Sequence, residues 1–173
     1  MKRVLSLLAG VFLIANMLGQ TNHFVGESYG GGIVFYVNNG GNHGIITSTV
    51  DRSTRIQRQN ETSTVSNTVT NEINTGEFNT ERISAIKGVE NDEVPVYFNY
   101  QDSYYSDWYL PSKYELNLLY LNRSVLGGYD DFARGWSSTE DSRVNAWFKS
   151  FAAGGAFSNG KDDVLYVRVH RRF

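Results

Sequence analysis

One stretch constrains the fold of this chain more than any other: Asp107-Trp108-Tyr109-Leu110-Pro111-Ser112-Lys113-Tyr114-Glu115-Leu116-Asn117-Leu118-Leu119-Tyr120. Its period changes at Pro111. Asp107 to Leu110 reads as a short aromatic strand, and Pro111, which has no N–H, ends any ladder there. Ser112 followed by Glu115 has the spacing of a capping box. The serine hydroxyl takes an orphan N–H of the first turn, and the carboxylate reaches back to the Ser112 N–H. Leu116, Leu119 and Tyr120 then recur at helical spacing, with the helix expected to end near Asn122. The stretch predicts a strand-to-helix corner in which Trp108 and Glu115 are scaffold.

Around this corner the chain alternates short apolar runs with turn chemistry. Ile33 to Val37 and Gly44 to Val50 flank Asn38-Asn39-Gly40-Gly41-Asn42, where several residues tolerate positive φ, and together they read as a β-hairpin. Gly30-Gly31-Gly32 precedes a strand instead of opening a helix, and no Lys-Ser/Thr follows it. It therefore reads as a close backbone approach, not a phosphate loop. Residues 51–78 carry Arg52, Arg55 and Arg58 among Ser, Thr, Gln and Asn, an excursion whose order the sequence does not specify. Asn79 or Thr80 can cap a second helix through Ile83, Ile86 and Lys87, with Gly88 as its stop.

The last third reads as strand and turn. Runs at Gly135–Thr139 and Asn145–Phe151 are followed by turns at Gly154-Gly155 and Ser158-Asn159-Gly160. Val164 to Phe173 then alternates as one strand, with Leu165, Val167 and Val169 on one face and Arg168, His170 and Arg172 outward.

Lys2 and Arg3 precede an apolar run from Val4 to Leu18, and Gly19 gives a small-residue exit. Residues 1–19 thus have the layout of a secretory signal peptide. Residues 20–29 form a linker and 30–173 a single domain, within the size expected for one core. The expected location is periplasmic, cell-surface or secreted, with membrane contact only through the leader before cleavage. The 173 residues carry 16 Lys+Arg and 18 Asp+Glu. Without the leader's two cations the formal charge moves from −2 to −4. An acidic exported domain is a poor partner for nucleic acid. The chain has no Cys, which rules out a disulfide scaffold, a thiol nucleophile and thiolate metal sites.

Taken in order, several motifs resemble one family. They are Gly31-Gly32-Ile33-Val34-Phe35-Tyr36-Val37, His43-Gly44-Ile45-Ile46, Thr75-Gly76 with Asn79-Thr80, the Asp107–Asn117 corner and Gly127-Gly128-Tyr129. Trp136-Ser137-Ser138-Thr139-Glu140, Ala146-Trp147 and Val167-Arg168-Val169 complete the set. Their order and spacing resemble the DUF1566 family, also called the Legionella collagen-like protein C-terminal domain, a relative of the Fibrobacter succinogenes major paralogous domain. The resemblance implies an α+β, C-type-lectin-like fold: antiparallel sheets, chain ends paired in one sheet, two flanking helices and a long-loop region for ligand. It also implies bacterial export and, in some members, adhesion to glycans. Two features depart from the family: the Cys pairs that members often carry are missing, and residues 52–75 match poorly.

Catalysis is not expected. Oxidation of the formylglycine-generating type, known on lectin-like folds, needs cysteines. Asp51, Glu115, Asp130, Asp131, Glu140 and Asp141 qualify as acid–base candidates only by being acidic. His23, His43 and His170 lie far apart, without metal-ligand spacing. Calcium could draw on Asn159-Gly160-Lys161-Asp162-Asp163 or Asp130-Asp131, but no sugar-binding calcium tripeptide is present, so no cofactor is expected.

Glycan or extracellular protein binding through loops fits better, because exposed aromatic rings stack on sugar faces while amides and hydroxyls meet the sugar's own hydroxyls. Loop rings Tyr100, Tyr104, Tyr105 and Phe157, with Asn159, are the candidate contacts, and Arg168, His170 and Arg172 could hold an anionic group. Trp108, Trp136 and Trp147 are assigned to the core. The expected function is a non-catalytic, adhesin-like binding module. The alternative is a structural subunit of a bacterial envelope assembly without a small ligand.

Overall fold

The structure is a computed structural model that describes residues 22–50, 53–57, 67–87, 104–127 and 134–173, with backbone alone at 53–57 and 86–87. The leader at 1–19, the Gly88 stop, Tyr100 and Asp130-Asp131 lie outside the described residues. In chain order the elements are β1 (Ser28–Tyr29), β2 (Gly32–Val37), β3 (Gly44–Thr47), β4 (Ser53–Gln57) and α1 (Thr75–Lys87). They continue with α2 (Lys113–Leu126), β5 (Arg134–Glu140), β6 (Asn145–Ser150), β7 (Ala156–Gly160), β8 (Val164–Val167) and β9 (His170–Arg172).

The architecture is α+β. One sheet has the antiparallel order β1-β2-β3-β9, so the first strands and the last are neighbours. The other has the order β4-β8-β5-β6-β7 and is mixed, because β5 and β8 meet in parallel at Gly135 and Tyr166. The first sheet is covered on both faces. Val34 and Ile46 join Trp108, Leu110, Trp136, Phe148, Leu165, Val167 and Val169 in one core, while Phe35 and Ile45 join Tyr109, Leu116, Leu119 and Phe151 in a second. A strand buried on both faces has no reason to alternate, which explains the continuous apolar run in β2. Gly32 marks the expected close approach: a Cβ there would stand 2.2 Å from the Thr47 carbonyl oxygen.

The hairpin, the capping box and the burial of Trp108 and Trp136 match expectation, whereas Trp147 is not in the core. Glu115 N–H donates to Ser112 Oγ at 3.1 Å and Ser112 N–H donates to Glu115 Oε2 at 2.7 Å. Trp108 and Trp136 are buried, and Trp147 is half-buried, with Lys113 Nζ 3.9 Å from its ring centroid. α2 runs past Asn122 to Leu126, where Gly127 caps it at φ 65°. Asn122 does not stop the helix; its amide donates to the Phe35 carbonyl at 3.1 Å and ties α2 to β2.

Five local expectations are corrected. Asp107–Leu110 is no strand but one bridge, Tyr109 to His170, because the Leu110 N–H donates to Thr80 Oγ1 at 3.0 Å instead of joining a ladder. α1 begins at Thr75, so Asn79 and Thr80 are not caps. Both are buried one turn inside, where the Asn79 amide donates to the Thr70 carbonyl at 3.0 Å. The polar excursion contains a strand, β4, which pairs with β8. Ser158-Asn159-Gly160 belongs to β7, and the turn falls after it, where Asp163 N–H donates to the Gly160 carbonyl at 3.0 Å.

The fifth concerns the C-terminal run, which is two strands and not one. β8 serves the second sheet and β9 the first, with Arg168 and Val169 carrying the chain between them. That crossing cancels the outward face expected for Arg168 and His170, which are both buried.

Candidate functional site

A cleft of about 600 Å³ opens where the first sheet meets the N-terminus of α1. Its floor is the end of the sheet: Tyr36 from β2, Gly44 from β3, and Arg172 and Phe173 from β9 and its end. Backbone bonds hold this floor, since Gly44 and Phe173 exchange N–H to carbonyl bonds of 3.2 Å in both directions. One wall is the hairpin turn, where Asn38 N–H donates to the His43 carbonyl at 2.9 Å and both residues border the cleft. The opposite wall carries Asn74 and Glu77 from the start of α1, and Asp107 from the corner segment. Beside the opening, the Phe173 ring meets those of His23 at 4.8 Å and Tyr29 at 5.2 Å.

The charges in this cleft are compensated. Arg172 forms an ion pair with Glu77, each side chain partly exposed. Asp107 accepts from Arg171 Nε at 2.5 Å. What the arrangement offers is recognition: aromatic faces, two amide side chains, and donors and acceptors of fixed polarity.

Behind the cleft wall lies Glu115, fully buried. Besides the Ser112 N–H it accepts from the Asn74 N–H at 2.9 Å, from the Gly76 N–H, and from the Tyr109 hydroxyl at 3.4 Å. One carboxylate thus serves the N-termini of both helices, where unpaired N–H groups and the helix dipoles favour negative charge. Burial pushes its pKa up to about 7, although the hydrogen bonds pull it down. Tyr109 is raised well above the usual phenol value by burial and by the neighbouring Glu115. His170, packed against the Phe35 ring at 4.5 Å, is held well below the usual imidazole value by burial and then by Arg168.

Of the described residues expected to bind ligand, Arg172 lines the cleft and the others do not. Tyr100 lies outside the described residues. Tyr104 is 88% exposed at a turn. Tyr105 packs on the core beneath the Arg171 guanidinium, 3.8 Å from its ring centroid. Phe157 and Asn159 sit on β7 in the other sheet; Phe157 is half exposed and its ring lies 5.8 Å from that of Phe148. Arg168 and His170 are interior, so neither presents a cation to solvent.

Sequence reasoning missed Tyr36, Asn38, His43, Asn74, Glu77, Asp107 and Phe173. They come from five separate segments, and the only local signal was the turn chemistry at Asn38–Asn42.

Asp51, like Asp130 and Asp131, lies outside the described residues, while the remaining acid candidates Glu140 and Asp141 have structural partners. Glu140 is paired with the buried Lys161 and accepts from the Asn67 N–H at 2.9 Å; Asp141 accepts from the Ser158 hydroxyl at 2.6 Å. Lys161 of the 159–163 segment turns inward and is buried. Among the described residues no group of three His, Asp or Glu could hold a metal ion, and no helix is long and apolar enough to cross a membrane. The chain matches no family profile and no curated protein by sequence.

Proposed function

We propose that this chain is a non-catalytic, exported binding module of C-type-lectin-like type that takes a polar, carbohydrate-like or protein ligand in the cleft between Tyr36, Glu77, Arg172 and Phe173. The observation that carries this reading is the lining itself. Tyr36, Phe173, Asn38 and Asn74 line one concavity together with a guanidinium–carboxylate pair. Rings beside fixed donors and acceptors are the combination that sugars and polar peptides require. Both cleft carboxylates are engaged by arginines, which favours holding a ligand over moving protons. The resemblance of the motif order to the DUF1566 family supports the same reading, as do the pairing of first and last strands in one sheet and the two helices.

The test is a glycan array followed by calorimetry on the purified protein and on Tyr36→Ala, Arg172→Ala, Tyr104→Ala and Phe157→Ala. The reading expects binding that Tyr36→Ala and Arg172→Ala each weaken at least tenfold while Tyr104→Ala and Phe157→Ala leave it intact. Loss confined to the latter pair moves the site to the exposed loops.

The second reading, a subunit of an envelope assembly, rests on a different observation. Phe24, Leu121 and Val125 are each more than half exposed, and the loop at Gly26 runs against Val125. A blank array together with self-association lost in Leu121→Asp favours it.

A further inference from the structure

We propose that Glu115 couples a proton in the protein interior to the shape of the cleft, by holding Asn74 and the first turn of α1 in the positions from which Asn74 and Glu77 line it. As regulation of ligand binding this rests on the cleft being the binding site; the coupling itself does not.

The geometry is one of shared acceptors. The Asn74 N–H donates to Glu115 Oε1 at 2.9 Å and the Ser112 N–H to Oε2 at 2.7 Å. Gly76 donates as well, and it lies so close that a Cβ at Gly76 would fall 2.2 Å from Oε2. Asn74 adopts φ 66°, a left-handed conformation that asparagine tolerates better than most non-glycine residues, and its N–H is then aimed at Glu115. Glu77, three residues further on, lies in the first turn of α1 and carries the ion pair to Arg172 in the cleft.

Protonating the carboxyl changes an acceptor into a donor on one oxygen. Every group the structure points at that carboxyl is itself a donor: three backbone N–H groups and two hydroxyls, those of Ser112 and Tyr109. The Ser112 hydroxyl can turn instead to the Glu72 carbonyl, 3.0 Å away, but the N–H groups cannot turn. A protonated Glu115 therefore weakens the N–H bonds it accepts, because they lose a charged acceptor, and those from Asn74 and Gly76 are the ones at the start of α1. The titratable side chain facing it is Tyr109 from the corner, and the charged and titratable groups around Tyr109 in turn are Glu77 from α1 and Arg172 and His170 from β9. Burial brings this protonation into the neutral range.

The experiment is a pH titration by NMR of the full chain in a His43→Gln background, so that the cleft imidazole cannot supply the transition. The expected result is one midpoint near 7 shared by the Glu115 carboxyl carbon and the amide N–H groups of Asn74, Gly76 and Glu77. In Glu115→Gln that amide transition disappears. Amides that stay flat while Glu115 titrates, or that titrate unchanged in Glu115→Gln, overturn the proposal. If Glu115→Gln does not fold, unequal midpoints for the carboxyl and the amides overturn it just as well. Failure to bind any glycan would refute the cleft as a site and leave this titration as it is.

Discussion

Asn74 and Glu115 are 41 residues apart in sequence, yet the backbone N–H of the first donates to the buried carboxylate of the second at 2.9 Å. That bond joins the start of α1 to the start of α2, and α1 forms one wall of the cleft. A residue chosen by the sequence for a local task, closing a capping box, is thereby also the link between two helices.

Two buried groups give the fold opposite pH dependences. The Glu115 pKa of about 7 is above its ordinary 4.5, so its contribution to stability is fully present below pH 4.5 and is lost as pH rises through 7. The loss is on the order of 3 kcal/mol. His170 is depressed below its ordinary 6.5, so its contribution is present above pH 6.5 and is lost as pH falls through the folded value. Urea unfolding between pH 4 and 8 should show the stability difference between the wild type and Glu115→Gln shrinking as pH rises. Without that slope, the carboxyl is not neutral-shifted in the folded protein.

His170→Phe should leave the melting temperature unchanged or raise it. Neither ring nitrogen has a hydrogen-bond partner among the described residues, and the ring packs against Phe35 and Tyr109. Replacing a buried polar ring that lacks partners with an apolar one gains about 1 kcal/mol. Calorimetry would also show the acid-side loss of stability reduced. A drop of several degrees at pH 7.5 would mean that His170 has a partner after all.

Gly76→Ala should cost about 1–3 kcal/mol through overpacking, because the new methyl meets Glu115 Oε2, the Ser112 nitrogen and the Tyr109 ring, all within 2.8 Å. Gly127→Ala is the control: its φ is 65° and nothing lies within 4 Å, so backbone strain alone costs about 1 kcal/mol. Denaturation midpoints compare the two, and an equal cost would mean that the contact at Gly76 relaxes freely.

Lys161→Met should destabilise by about 3 kcal/mol, since the buried Glu140 charge loses the ammonium that compensates it. Adding Glu140→Gln should recover more than half of that, because the amide oxygen still accepts from the Asn67 N–H. A double-mutant cycle by chemical denaturation reads the coupling, and strict additivity would show the pair to be independent.

The fold was legible wherever the determining physics was local. Ser112 and Glu115 satisfy each other within one turn, the Asn38–Asn42 turn closes its own hairpin, and Trp108 and Trp136 are large enough to demand a core. The start of α1 was not legible, because the distant Glu115 helps to hold it through Asn74 and Gly76, and Asn79 and Thr80 have cap chemistry that tertiary contacts put to other use. Arg168, His170 and Arg172 alternate on paper as one outward face. The crossing between sheets buries two of them and leaves Arg172 at the cleft.

The sequence by itself determined the corner at Pro111, the capped helix, the hairpin and a cysteine-free α+β core, because each depends on neighbours within a few residues. Tertiary structure alone decided the site. Tyr36, Asn38, His43, Asn74, Glu77, Asp107, Arg172 and Phe173 carry no shared pattern, and only the pairing of the last strand with the third, and of one carboxylate with two helix ends, brings them around one cleft. Glu115 stands on both sides of that division: its cap was written in local spacing, and its reach to Asn74 was not.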